Sequence, residues 1–291
     1  MKLQHFLSLI AATPIGIGTF TLSAPAQEQI PACPDPSTLT SVATPGDATS
    51  FESVTGGNCS GTPSSYGVTI YKMGFCTANP SPSAGAVDYS SCSITYEDSS
   101  GTPADFGPGG PKVKLDKGLS KRVDKGTYGY ALVLLSNTFK IKADYGPIAG
   151  NTYYSTSTST GWPAQGNTVG PATANPVSAQ SLGQNCDSAD TISVKAGTLT
   201  GTLLNSSGER IPENSSVESC SGVQYILGVV SLSSPVTIED SANTDLEAIF
   251  TVTNSGTTLS IDNRPGGVAG IIFDVGPFNM SVNVREGSTN N

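Results

Sequence analysis

Two groups of carboxylates are the side chains best placed to do chemistry in this sequence: the adjacent pair Glu97-Asp98, and Glu239, Asp240, Asp245 and Glu247 in one short stretch. Two acids flanking a sugar bond suffice for glycoside hydrolysis. Neighbouring residues of a strand point to opposite faces, however, so Glu97 and Asp98 would not naturally act together. The stretch from Glu239 to Glu247 reads as a turn that carries oxygen ligands between two strands. Glu239, Asp240, Asn243, Asp245 and Glu247 are its candidate calcium ligands, and calcium is the one cofactor the sequence offers. The spacing matches no recognised calcium loop, and a plain polar hairpin turn accounts for the stretch more simply.

Histidine supplies the main exclusion. The single one, His5, falls in a segment that reads as a cleaved leader. The mature chain would then lack Ser-His-Asp and Cys-His arrangements and every His-ligated metal site. No nucleophile-elbow, phosphate-cradling or dinucleotide-binding motif is present either. The expectation is a protein without catalytic residues, and the carboxylate-based glycoside hydrolase is the third reading of its function.

That leader spans residues 1–26: Lys2, an apolar run from Phe6 to Leu22 broken by Pro14, Gly16 and Gly18, and then Ala24-Pro25-Ala26. The pattern predicts cleavage before Gln27 and release to the cell surface or the extracellular space, with the periplasm as the other oxidising destination. No other stretch is apolar enough for a membrane helix. Ile30-Pro31-Ala32-Cys33 faintly resembles a lipoprotein box, but it does not directly follow the apolar run, and acylating Cys33 would leave an odd number of cysteines.

All six cysteines, Cys33, Cys59, Cys76, Cys92, Cys186 and Cys220, follow the predicted cut. An even count in an exported chain reads as disulfides, and proximity predicts Cys33–Cys59, Cys76–Cys92 and Cys186–Cys220. No CxxC pair points to zinc or a redox centre.

The chain carries 14 basic and 23 acidic residues, a net charge of −9. Such a balance repels nucleic acid and anionic lipid at long range. The basic residues concentrate at Lys112, Lys114, Lys117, Lys121, Arg122 and Lys125, followed by Lys140 and Lys142. This is the candidate interaction patch, for an acidic polymer or the acidic end of a second copy; a solvated hairpin is the simpler reading.

These groups would have to be carried by strands. Charged residues are scarce, and Gly, Pro, Ser and Thr are abundant, which disfavours long helices. Strands are expected at 67–75, 93–97, 112–116, 128–135, 138–142, 191–194, 197–204, 223–232, 236–240, 247–254, 257–261, 270–275 and 278–284. Residues 128–135 (YGYALVLL) read as a central strand buried on both faces. Residues 99–111 read as a Gly/Pro loop around Phe106. The fold expected is all-β, a β-sandwich or jelly-roll-like layout of two β domains or subdomains: a tyrosine-rich part at 27–154, a Ser/Thr/Pro-rich linker or long loop at 155–185, and an acidic part at 186–291.

Nine of the ten tyrosines lie between Tyr66 and Tyr154. Exposed tyrosine faces would stack on sugar rings, while sheet packing is the commoner use of the residue. The lone tryptophan, Trp162, is expected to anchor the linker by packing. Asn58, Asn205, Asn214 and Asn279 begin N-x-S sequons. The leading functional expectation is an exported structural or adhesive protein of the cell surface, a self-assembling subunit of a filament or layer. The alternative is a carbohydrate-binding module that uses the tyrosines of the first part.

Overall fold

The computed structural model describes residues 30–81, 83–108, 119–155, 175–178, 190–211, 222–239, 244–262 and 269–286. The strands are β1 (Asn58–Gly61), β2 (Ser65–Cys76), β3 (Cys92–Asp105), β4 (Leu119–Ser120), β5 (Gly126–Ser136), β6 (Thr138–Lys142), β7 (Asp144–Ile148) and β8 (Asn151–Tyr154). They continue as β9 (Asn175–Ser178), β10 (Asp190–Val194), β11 (Gly197–Leu204), β12 (Tyr225–Ile238), β13 (Thr244–Thr251), β14 (Thr257–Asp262), β15 (Gly270–Val275) and β16 (Asn279–Glu286). Among the described residues one short α-helix, α1 (Phe51–Thr55), and a 3-10 turn at Pro36–Thr38 accompany the strands; Ser50 caps the start of α1 and Gly56 closes it at φ 65°.

The all-β, sandwich-like expectation holds. A nine-stranded antiparallel sheet runs β10-β11-β12-β5-β2-β3-β4, with β6 on β2 and β9 on β6. Smaller antiparallel sheets, β1-β14-β15, β13-β16 and β7-β8, accompany it. The large sheet's first face packs with them into one core. Tyr66, Val68, Ile70, Val133 and Leu203 come from the large sheet; Leu259, Ile271, Phe273, Tyr145 and Ile148 come from the smaller ones. Burying each such side chain contributes roughly 1.5–3 kcal/mol.

β5 lies at the centre, between β12 and β2. Ala131, Val133 and Leu135 enter the main core, while Leu132 joins a second cluster with Leu204, Leu227 and Val229 on the opposite face. Both faces of β5 are therefore covered, which explains its nearly continuous apolar sequence. Because β12 pairs with β5 from Tyr225↔Ser136 to Ile238↔Gly126, the tyrosine-rich part and the acidic part share one sheet.

Several boundaries differ from the sequence expectation. Residues 99–105, read as loop, belong to β3. Gly101 and Pro103 fit there for distinct reasons. β4 covers β3 only at Tyr96 and Glu97, so Pro103 sits where no outer strand among the described residues needs its missing N–H. Gly101 has φ 76°, and a Cβ there would lie 2.4 Å from Thr69 and 2.9 Å from the Tyr71 ring. Asn175–Ser178, placed in the linker, is a strand paired with β6. The two strands expected at 223–232 and 236–240 form one strand, β12, whose register breaks between Ser231 and Val236. β1, β7 and β8 were not anticipated. The expected leader, the strand at 112–116 and Trp162 lie outside the described residues.

Candidate functional site

The second face of the large sheet gathers the side chains of most chemical interest, and a register break in β2 shifts its core-facing residues from Tyr66, Val68 and Ile70 to Met73 and Phe75. Ile70 pairs with Thr102 and Lys72 with Glu97, so Tyr71 is one extra residue on β2, opposite four on β3. Bulges of this kind re-aim side chains. Tyr71 turns away from the core that Ile70 enters and meets Tyr225 of β12, ring centroids 4.9 Å apart and planes at 78°. Both rings are half-buried.

Charge surrounds this pair. The Lys72 ammonium lies 2.8 Å from the Glu97 carboxylate and 4.1 Å from the centroid of the Tyr89 ring. Its side chain is mostly covered while that of Glu97 is half exposed, so the pair is screened on one side only. Asp98 accepts hydrogen bonds from the Thr102 hydroxyl at 2.8 Å and the Ser100 N–H at 2.9 Å, which lower its pKa. Burial first, then the Tyr225 phenol and the Asp98 carboxylate, raise the pKa of Tyr71. Burial, with a smaller push from Glu97, raises that of Tyr89 to about 12. The Tyr71 and Tyr89 phenols thus stay protonated hydrogen-bond donors at neutral pH, beside carboxylate acceptors.

The described loop residues 77–81 and 83–91 cover part of this face. The Cys76–Cys92 disulfide joins the loop's two ends, at directly opposed positions of β2 and β3. Val87 and Tyr89 pack on the cluster of Leu132, Leu204, Leu227 and Val229. The Ser81 and Thr202 hydroxyls lie 2.9 Å apart, and the Arg210 N–H donates to the Gly85 carbonyl at 2.8 Å. Beyond the loop, Tyr71, Tyr225, Tyr130 and Leu134 remain half-buried.

The predicted site residues fare differently. Cys33–Cys59 and Cys76–Cys92 are paired as expected; Cys186 and Cys220 lie outside the described residues. Glu97 and Asp98 are close, yet one is engaged by Lys72 and the other by Thr102 and Ser100. Of the calcium candidates, Glu239 is exposed at the end of β12, and Asp245 and Glu247 belong to β13; Asp240 and Asn243 lie outside the described residues. Of the basic patch, Lys112, Lys114 and Lys117 are likewise outside. Lys121, Arg122 and Lys125 are exposed beyond β4, where the Lys121 N–H bonds the Thr95 carbonyl. Lys140 and Lys142 sit on β6 beside Gly67 and Ser65 of β2. Thr95 adjoins Met73, six residues along β2, so the two basic groups stand roughly 20 Å apart.

Five tyrosines, Tyr66, Tyr96, Tyr128, Tyr145 and Tyr153, are buried and serve packing. Tyr225 was missed as a site residue because it stands apart from the other nine in sequence. Only the β12–β5–β2 order brings it to Tyr71. Of the sequons, Asn58 is exposed; Asn205 is held in its own turn, accepting from the Ser207 and Glu209 N–H groups. Asn279 begins β16, and Asn214 lies outside the described residues.

No family model, curated protein or solved structure matches this chain. No described helix is long and apolar enough to cross a membrane.

Proposed function

We propose that the protein is an exported adhesive protein that attaches to carbohydrate through the Tyr71–Tyr225 face. The observation that carries this reading is the meeting of Tyr71 with Tyr225 on a half-open face, close to the Asp98 carboxylate. Sugar rings present apolar C–H faces rimmed with hydroxyls. Aromatic rings meet the first, and phenol donors with carboxylate acceptors meet the second. A β-sheet scaffold tied by Cys33–Cys59 and Cys76–Cys92 suits such a role in an oxidising compartment. A glycan array probed with mature protein, and again with Tyr71→Ala and Tyr225→Ala, tests the reading. Binding to one glycan class, lost in both variants, supports it; a blank array refutes it.

The reading assigns no turnover to Glu97 or Asp98, because each carboxylate is already held in a static interaction. Release of reducing ends from the glycan bound on the array would overturn that part.

A further inference from the structure

A groove of about 400 Å³ lies away from the tyrosine face, between the Lys195-Ala196 turn, the out-of-register part of β12 and the edge of β16. Its wall exists because β12 leaves the ladder between Ser231 and Val236. The Ser233 N–H donates to the Ala196 carbonyl at 2.9 Å, and the Ala196 N–H donates to the Met280 carbonyl at 3.0 Å. The three walls are thereby stitched together. Gly197, at φ 152°, permits the approach: a Cβ there would lie 2.0 Å from the Ser231 carbonyl oxygen.

The lining has two characters. Leu232, Val236 and Val282 form an apolar strip, and hydroxyl and amide side chains, Thr237 and Ser281 among them, stand beside it. Among the described residues, Lys195 is the one charged residue in the lining. It is exposed, and among the described residues no carboxylate lies within ion-pair distance of it. The chain's net charge of −9 opposes anions at long range, so any attraction here is local, from the Lys195 ammonium at the groove's edge. The volume falls in the range of small-ligand sites, and the groove is partly open to solvent.

We propose that this groove binds an acidic saccharide, a uronate unit of a longer chain. Lys195 meets the carboxylate, the hydroxyl side chains meet the ring hydroxyls, and the apolar strip meets the ring's C–H face. The site stands independently of the Tyr71–Tyr225 face.

Titration of the mature protein with trigalacturonate, followed by calorimetry and amide NMR shifts, tests it. Binding is expected to weaken at least tenfold in Lys195→Met, which keeps the aliphatic stem. It should weaken similarly for the fully methyl-esterified trimer, and remain unchanged in Tyr71→Ala. Absence of binding, equal binding by Lys195→Met, or equal binding of the methyl ester would overturn the proposal. So would loss of binding in Tyr71→Ala, since that result assigns the saccharide to the tyrosine face.

Discussion

The Tyr66 hydroxyl donates a 2.8 Å hydrogen bond to the Gly276 carbonyl across 210 residues of chain. Its ring also stacks on Phe106 and tilts against Phe139; Phe106 in turn stacks on Phe250, ring centroids 4.7 Å apart. β2 is thereby joined to the last third of the chain inside the main core. Burial pushes the Tyr66 phenol pKa well above its ordinary value, so it remains a donor. Tyr66→Phe keeps the ring and strands the carbonyl. The expected cost is about 1–3 kcal/mol, read as a lower urea midpoint with unchanged slope.

Tyr71→Ala and Tyr225→Ala should each weaken carbohydrate binding roughly tenfold, the equivalent of one lost ring contact. Both side chains are half-buried at the surface, so thermal midpoints should stay close to that of the parent protein. A variant that unfolds instead would assign the ring to packing.

The Cys76–Cys92 bridge closes a separation of 16 residues. Replacing both cysteines by alanine should destabilise the protein by about 3 kcal/mol, from the added freedom of the unfolded chain. Hydrogen exchange should rise first across residues 77–91, because Val87 and Tyr89 lose the tether that holds them on the sheet.

Acid should weaken the fold through Asp105 and Asp47. Burial alone would raise the Asp105 pKa, yet donation from the Tyr66 and Gly107 N–H groups and the Ser65 hydroxyl outweighs it and the net direction is down. Asp47 is held well below the carboxylate range by the hydroxyls of Ser41, Thr40 and Thr49 and the Thr49 N–H. Both folded values lie below their unfolded ones, so their contribution is complete above about pH 4 and is lost as pH falls through the folded values. Denaturation midpoints measured from pH 6 to pH 2 should fall in that acid window. Asp105→Asn should be less stable at pH 6 and show a shallower fall.

Self-association is expected to depend on salt if the basic residues of one copy meet the acidic strands of another. Lys140 and Glu239 are both exposed and available for such contacts. Size-exclusion chromatography of protein lacking residues 1–26 from low to high salt should show larger species at low ionic strength. A monomer under every condition removes self-assembly and leaves adhesion alone.

Much of the strand content was legible because it depends on local pattern. Thr138–Lys142, Gly197–Leu204 and Gly270–Val275 are bounded as their alternation and flanking turns require. Proximity in sequence also found both described disulfides. β3 beyond Ser99 was hidden, since Gly101 and Pro103 normally interrupt strands. Only an uncovered edge and a bulge make them acceptable there.

The residues alone determined a strand-rich chain with paired cysteines and no catalytic histidine outside the expected leader. Those properties follow from composition and short-range spacing. Tertiary structure decided which tyrosines are available. Five of them fill the core, while Tyr225 crosses to Tyr71. It also decided that the tyrosine-rich and acidic parts share one sheet, and that Lys195 meets no carboxylate among the described residues lining its groove. Strand order and register set these relationships, and both depend on contacts between residues distant in sequence.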